Sequence, residues 1–476
     1  MLTLLVAAAV AARLRLLLVR PLWHDELFTV WISRQPVARI LQALRLDSGP
    51  PLFYVLERPF AALTHGAGSD AALRILPFAV LLLVLPAAAL AVPSPSRRWL
   101  VALMAASPLL LVYSAEARAY ALLAVLDGLA FLALLGGDPS PRGDPSPRRL
   151  ALGSAAAALA LWTHYLALFF VAACLAVAVV RRRGKVVVAC AASLLLFAPW
   201  IPVLAAQPEG ATRWILESPG RAALGMLSGL GGAPRWPPPL GPPGPVGLGA
   251  AGLLVASLLF FACVRRFRRD APLANALGVV LIYLVATAGV SFARPVAFAA
   301  RSEMGVLLVV LWMAARAAPE GGLGRWAAIG LLGASLASSA LAAAIVPGPS
   351  GAARAPEALR GVVDPRDYVY AAGASYLPLR LAADRGTLPC AVRGVPAELE
   401  AHPGWFAAAA LTSSQISEVA ARLEAPAKGR RFLVLPPLLA SRELLTLLSS
   451  RGQLVPLYRT GEAIFLEWRP GPRRTP

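Results

Sequence analysis

The sequence has few charged residues. They form 15% of the 476 residues, whereas hydrophobic residues form 58%, and the mean hydropathy is +0.67. Soluble domains contain roughly 25% charged residues, because polar groups must cover their surfaces. This shortage excludes an ordinary soluble protein and predicts that most of the chain lies in a lipid bilayer.

Lysine is nearly absent, since Lys185 and Lys428 are the two lysines of the chain. Arginine supplies the other basic residues, and 45 basic residues against 25 acidic ones give a net charge of +20. In a soluble protein such an excess would indicate nucleic-acid binding. In a membrane protein it indicates basic loops that face the cytoplasm, so we predict no nucleic-acid partner.

Cysteine and histidine are equally scarce, with four residues of each. The cysteines form no C-x-x-C pair and have no close Cys/His spacing, so the sequence predicts no metal site. We interpret the cysteines as small buried apolar side chains.

Long apolar runs predict about eleven transmembrane helices. Arginine clusters follow every second run, and these loops are therefore predicted to face the cytoplasm together with the N-terminus. The clusters lie at 97–98, 142–149, 181–185, 265–269 and 316–325. The runs lie near 2–19, 71–92, 99–114, 118–136, 149–163, 166–180, 186–204, 244–264, 271–292, 303–318 and 325–346.

The remaining segments are predicted to lie outside. Residues 20–70 form the first outer loop of a transmembrane domain that covers residues 1–346. Residues 205–243 are rich in Pro and Gly and predict a loop. Residues 347–476 predict a small extracytoplasmic α/β accessory domain, because strands alternate with helices. The strands are expected at 368–372, 432–435 and 463–468, and the helices at 414–423 and 441–449.

Acidic residues concentrate in the first outer loop. Asp25 and Glu26 follow the first apolar run directly. Two acids at a membrane boundary are costly unless they are hydrated or paired, so they indicate a functional site, with a merely solvated acidic loop as the alternative. Asp47 precedes Pro50-Pro51 and is either a helix cap or a second acid of that site.

Other outer turns carry further candidates. Glu116 and Arg118 can pair with each other, or Arg118 can bind a phosphate with its planar donors. His164 and Tyr165 suit an interfacial aromatic belt, and a catalytic role for His164 is the alternative. Arg301 can contact lipid headgroups in general or hold one lipid phosphate.

The order of these motifs resembles that of GT-C membrane glycosyltransferases in the protein O-mannosyltransferase and aminoarabinose transferase-like superfamily. The resemblance covers roughly residues 1–310. Its motifs are Asp-Glu at 25–26, acid-x-x-Pro-Pro-Leu-x-Tyr at 47–54, Tyr-Ser-x-Glu-Ala-Arg-x-Tyr at 113–120, His-Tyr at 164–165 and Pro-Trp-x-Pro at 199–202.

The resemblance implies a hexosyl- or pentosyltransferase of the bacterial plasma (inner) membrane. Such an enzyme moves a sugar from a polyprenyl-phosphate carrier to a glycan, lipid or protein acceptor on the extracytoplasmic side, and a need for a divalent metal stays open. Asp25 corresponds to the base, and Glu26 completes the acidic pair. Asp47 and Glu116 line the same cavity by resemblance, and Arg118 and Arg301 correspond to phosphate-side residues.

The chain departs from the family at two points. Ser48 and Gly49 stand where the family usually has His, or an acid and Lys, and Arg301-Ser302 stands where it has Arg-Tyr. Two alternatives to an enzyme therefore stay open. A lipid or solute transporter would suit the many spans, although no paired halves are visible. A non-catalytic envelope-assembly protein would use the α/β tail to bind a partner.

Overall fold

A computed structural model describes residues 1–64, 70–92, 94–137, 145–208, 215, 217–236, 246–345, 352–404, 411–425, 428–437 and 439–471, with the backbone alone for 85–91. The loop predicted over 205–243 lies partly outside these ranges.

Helices account for most of the described chain. They are α1 (Leu2–Val19), α2 (His24–Ser33), α3 (Val37–Ala43), α4 (Leu52–Ala62), α5 (Ile75–Ala91), α6 (Ser96–Ala106), α7 (Pro108–Tyr113), α8 (Tyr120–Leu134), α9 (Pro147–Thr163), α10 (Leu166–Val180), α11 (Gly184–Phe197), α12 (Ile201–Ala206), α13 (Pro219–Leu230), α14 (Val246–Arg266), α15 (Ala271–Ala293), α16 (Leu307–Ala317), α17 (Gly322–Ala344), α18 (Ala355–Leu359), α19 (Tyr376–Asp384), α20 (Glu398–Ala401), α21 (Ser413–Glu424) and α22 (Arg442–Arg451). The strands are β1 (Tyr368–Ala372), β2 (Ala391–Val395), β3 (Arg431–Leu435), β4 (Gly452–Arg459) and β5 (Ile464–Pro470).

The chain is a multi-pass membrane protein, as predicted. Among the described residues, five helical stretches are long and apolar enough to cross a bilayer by length and composition: α1, Gly184–Ala206, α14, α15 and α17. Shorter apolar helices, α8, α10 and α16, lie at other predicted spans. The number eleven stays a prediction. The predicted loop at 205–243 contains α13, which sequence reasoning missed.

The predicted span 99–114 is interrupted, which corrects the prediction of one continuous helix. Ser107 has an extended backbone and separates α6 from α7. Pro108 has no N–H, so the carbonyl of Met104 loses its helical partner. Arg13 of α1 donates instead to the carbonyls of Met104 and Ala105, both at 3.2 Å, and the Ser339 hydroxyl donates to the carbonyl of Ala106 at 2.7 Å.

The described residues divide into two compact units. The first unit comprises Met1–Arg20, Ser48–Glu57 and Leu73–Pro347. The second unit comprises Pro21–Asp47, Arg58–Ala72 and Gly348–Pro476. The C-terminal residues therefore share a unit with two segments of the predicted outer loop.

The second unit contains a mixed β-sheet with the strand order β2-β1-β3-β5-β4 among its described residues. β1 pairs in parallel with β2 and β3, and β5 pairs antiparallel with β3 and β4. The three predicted strands and the two predicted helices of the tail are confirmed. β2 and β4 were not predicted, because Gly394 in β2 and Pro456 in β4 weaken the strand pattern and suit the sheet edges that they occupy.

Replacing Arg13 by Leu should destabilise the first unit. Arg13 is 1% exposed, and its loss leaves two buried carbonyls without their donor, at about 1–3 kcal/mol each. Thermal unfolding in detergent should show a lower midpoint for Arg13→Leu. Arg98→Leu makes the same change at an exposed site and should leave the midpoint nearly unchanged. Equal midpoints for the two variants would contradict the role of Arg13.

Candidate active site

The acids of the first outer loop occupy the first turn of α2. The backbone N–H of Trp23 donates to Glu26 Oε2 at 3.4 Å, so the Glu26 carboxylate reaches back to the residue that caps the helix. Asp25 and Glu26 are 2% and 0% exposed. The positive end of the helix dipole favours acids in this turn. The local structure therefore uses Glu26 to fix the helix end that carries Asp25.

His402 packs against the same helix within the second unit. Its ring lies 5.6 Å from the Phe28 ring and 6.1 Å from the Trp31 ring, centroid to centroid. Burial lowers the pKa of His402, and the negative charge of Asp47 opposes this shift. Asp47 is therefore within electrostatic reach of His402. Sequence reasoning missed His402, because an isolated histidine in a polar tail carries no pattern.

A cavity of about 310 Å³ lies in the second unit beside α2. At 3.6 residues per turn, its lining residues on α2 fall on the side opposite Asp25. The cavity is lined by Leu27, Val30, Trp31, Arg34, Gln35, Tyr376, Leu377, Arg380, Leu381, Asp384 and Glu400. It contains none of the predicted site residues.

Predicted residues of the first unit gather around Tyr120. The Tyr120 ring lies 5.1 Å from the His164 ring and 4.8 Å from the Tyr113 ring. The Arg301 guanidinium lies over two rings, 5.8 Å from Tyr120 and 5.2 Å from Phe298. Such contacts stabilise a cation that has little water around it. Arg301 is 6% exposed, so the cluster holds a buried positive charge on an aromatic surface.

The turn between α7 and α8 supplies Glu116 and Arg118. Glu116 is fully buried, and its backbone carbonyl accepts from the Arg118 N–H at 2.8 Å. The Arg118 guanidinium donates to the Tyr54 hydroxyl at 3.4 Å. Tyr54 belongs to the Pro-Pro-Leu-x-Tyr motif, so the structure brings two of the five sequence motifs into contact.

His164 and Tyr165 lie between α9 and α10 and have different surroundings. His164 Nδ1 accepts from the Leu166 N–H at 3.1 Å, which leaves Nε2 as the protonated nitrogen of the neutral ring. Burial, followed by the positive charges of Arg118 and Arg301, lowers the pKa of His164 to about 3. The Tyr165 hydroxyl accepts from Trp200 Nε1 at 2.9 Å, so Tyr165 anchors the Pro-Trp-x-Pro motif.

The predicted site residues thus fall into two groups. Glu116, Arg118, His164, Tyr165 and Arg301 belong to the first unit, and Asp25, Glu26 and Asp47 belong to the second unit. Within the described ranges, no three His, Cys, Asp or Glu side chains are grouped closely enough to hold a metal ion. The first-unit group can bind an anion, because it combines two guanidinium groups with a neutral imidazole donor.

Sequence reasoning also missed Glu303 near Arg301. Its side chain is fully buried, and Oε1 accepts from the Ala300 N–H at 2.9 Å. Glu303 Oε2 has no hydrogen-bond partner among the described residues. The sequence hides this acid because it stands at the edge of a predicted apolar span.

The fold is similar to that of one solved protein, ArnT, in two of its structures. The crystal structure of ArnT from Cupriavidus metallidurans in the apo state has 14% sequence identity and a TM-score of 0.59, and the alignment covers 98% of this chain and 97% of that chain. The structure of ArnT from the same organism bound to undecaprenyl phosphate has 14% identity, a TM-score of 0.61 and the same coverage. No model of a known protein family and no curated protein matches the sequence. The chain has the predicted GT-C fold, with a small C-terminal sheet domain.

His164 should make stability depend on pH. Its pKa in the folded chain lies below the ordinary value of 6.5. As the pH falls, His164 therefore binds a proton at a higher pH in the unfolded chain than in the folded chain. The contribution of neutral His164 to the free energy of unfolding is complete above about pH 6.5 and is lost between about pH 6.5 and 3. Thermal midpoints measured from pH 8 to 4 should therefore fall less steeply for His164→Gln than for the parent. Midpoints at pH 8 report the cost of the substitution itself, and parallel slopes below pH 6.5 would contradict the assignment.

Proposed function

We propose that the protein is an inverting glycosyltransferase. It transfers a sugar from a polyprenyl-phosphate donor to an acceptor hydroxyl on the extracytoplasmic side of the bacterial plasma membrane. The acceptor is a glycan, a lipid or a protein hydroxyl.

The observation that carries this proposal is the group of cations on the aromatic surface of the first unit. The Arg301 guanidinium lies over the rings of Tyr120 and Phe298. Burial lowers the pKa of His164, and the positive charges of Arg118 and Arg301 both lower it further. An anion that sits there meets two guanidinium groups in an environment with little water, where charge interactions are strong. The likeness in fold to ArnT, which has been crystallised with undecaprenyl phosphate, supports a lipid phosphate as that anion.

The reaction is a direct displacement at the anomeric carbon. The acceptor oxygen forms a bond to this carbon as its proton passes to the Asp25 carboxylate. The bond from the anomeric carbon to the phosphate oxygen breaks, and polyprenyl phosphate leaves with its electron pair. Attack from the face opposite the leaving group inverts the configuration. Arg118 and Arg301 stabilise the charge that grows on the leaving phosphate.

The other candidates have supporting roles in this proposal. Glu26 fixes the N-terminal turn of α2 that carries Asp25, as its contact with the Trp23 N–H suggests. Asp47 and Glu116 bind substrate. His164 is neutral at physiological pH and donates from Nε2, whereas Tyr165 maintains the position of the turn through Trp200.

The departure at Ser302 has a structural counterpart. Ser302 is 1% exposed, and its hydroxyl accepts from the Phe298 N–H at 2.9 Å. The serine thus shapes the loop before Arg301, while a tyrosine at this position could offer a phenol to a ligand. The proposal therefore assigns the phosphate contacts to the arginines and the histidine.

Asp25→Asn should reduce transfer by about 10²- to 10⁴-fold, because the amide keeps the shape but cannot accept the proton. The measurement is the rate of release of polyprenyl phosphate from a labelled donor by the purified protein. Asp384→Asn is the matched control, since Asp384 is an exposed acid of the same unit that pairs with Arg380. An Asp25→Asn protein as fast as the parent would refute Asp25 as the base.

Incubation of the reconstituted protein with labelled polyprenyl-phosphate sugars and envelope extract tests the function as a whole. Sugar that moves to a new product supports the transferase. Carrier that crosses the bilayer without sugar transfer supports a transporter. If neither sugar transfer nor carrier movement occurs, the result supports an assembly protein. Mass spectrometry of envelope glycans, lipids and glycoproteins after loss of the gene would identify the acceptor.

A further inference from the structure

The backbone on both sides of Arg301 is held by two buried phenols. The Tyr113 hydroxyl, at the end of α7, donates to the carbonyl of Ala300 at 2.5 Å. The Tyr283 hydroxyl, in the middle of α15, donates to the carbonyl of Ser302 at 2.5 Å. Both tyrosines are 0% exposed. Two donors from different helices therefore fix the carbonyl of the residue before Arg301 and the carbonyl of the residue after it.

Ala300, the residue before Arg301, has an unfavourable backbone conformation that surrounding contacts must stabilise. Ala300 has φ of +64°, in the left-handed region that an L-residue with a Cβ avoids. Its carbonyl accepts from Tyr113, and its N–H donates to Glu303 Oε1 at 2.9 Å. Strained backbone of this kind persists where surrounding groups determine it, and it concentrates at functional sites.

Two glycines allow these contacts. A Cβ at residue 305 would lie 2.5 Å from the Tyr283 hydroxyl, and a Cβ at residue 229 would lie 2.5 Å from Glu303 Oε1. Gly305 and Gly229 therefore leave the space in which the phenol and the carboxylate reach the loop. The surroundings of Arg301 are shaped from three sides, by α7, α13 and α15.

We propose that Tyr113 and Tyr283 are positioning residues, which hold Arg301 so that its guanidinium meets the phosphate of a lipid-linked ligand. The proposal rests on the function proposed above and adds the device that orients the cation. An arginine side chain has many rotamers, and a ligand that must order it loses affinity. A fixed backbone, together with the rings of Tyr120 and Phe298, reduces that loss before the ligand binds.

Binding of undecaprenyl phosphate to the purified full chain in nanodiscs tests this role. Tyr113→Phe and Tyr283→Phe should each weaken binding by roughly three- to tenfold, because each removes one hydrogen bond and little volume. Tyr370→Phe is the matched control. Tyr370 donates to the carbonyl of Arg422 at 3.0 Å, which is the same type of contact, in the second unit. It should leave binding unchanged.

A double-mutant cycle separates positioning from general stability. Arg301→Ala should weaken binding more than either phenylalanine variant does. If the phenols act through Arg301, Tyr113→Phe added to Arg301→Ala should cause no further loss. Thermal midpoints measured alongside would show whether all variants stay folded.

Rescue provides a second readout that a merely structural phenol would not affect. Without the Tyr113 hydroxyl, Ala300 can leave the left-handed region, but glycine is stable there. Ala300→Gly should therefore restore part of the affinity lost in Tyr113→Phe. Ala299→Gly removes the same methyl group at a neighbour without positive φ and should restore nothing.

The outcomes distinguish the two proposals. Coupled losses with rescue at residue 300 support the positioning role. A parent that binds undecaprenyl phosphate, but whose variants lose affinity additively or regain none through Ala300→Gly, overturns the positioning role alone. A parent that does not bind undecaprenyl phosphate overturns the proposed donor and the positioning role together.

Discussion

Backbone carbonyls at the ends and breaks of apolar helices need donors, and lipid offers none. In the first unit, side chains distant in sequence meet this need. Arg13 donates to the carbonyls at the end of α6, and Arg74 donates to those of Leu17 and Arg20 at the end of α1, at 3.0 and 2.8 Å. Asn275 donates to the carbonyl of Leu135 after α8 at 3.1 Å. These contacts fix which helix ends can lie together, and hence the turns between them.

The same constraint links the architecture to the proposed chemistry. The carbonyls beside Arg301 take their donors from Tyr113 and Tyr283. In these two contacts, satisfying the backbone also fixes the chain on both sides of a cation. Part of the arginine content thus serves internal hydrogen bonding, in addition to the loop charges that predict topology. The aromatic rings beside Arg301 replace part of the water that the guanidinium loses on burial.

Periodicity and motif order predicted the fold class and the strands at 368–372 and 432–435. Motif order also named Arg118, His164 and Arg301 as candidate site residues, a role that stays a prediction. Periodicity and motif order could not predict the break at Ser107, because the apolar pattern continues through it. They could not predict that Tyr113 and Tyr283 donate to the carbonyls of Ala300 and Ser302, since those contacts join residues far apart in sequence. Glu303 and His402 carried no local signal, because their surroundings arise from tertiary packing. The pairing of distant donors with carbonyls is a property of the folded chain and leaves no period in the sequence.

The second unit combines segments from the beginning and the end of the chain, and this has a consequence for biosynthesis. Helix α2, which carries Asp25, packs against α19 and His402, and both belong to about the last quarter of the chain. During translation, α2 emerges early, while its packing partners are made long afterwards. The helix therefore completes its packing only when translation is nearly finished. A nascent chain released before that point would carry the acids of α2 on a segment that lacks its packing partners.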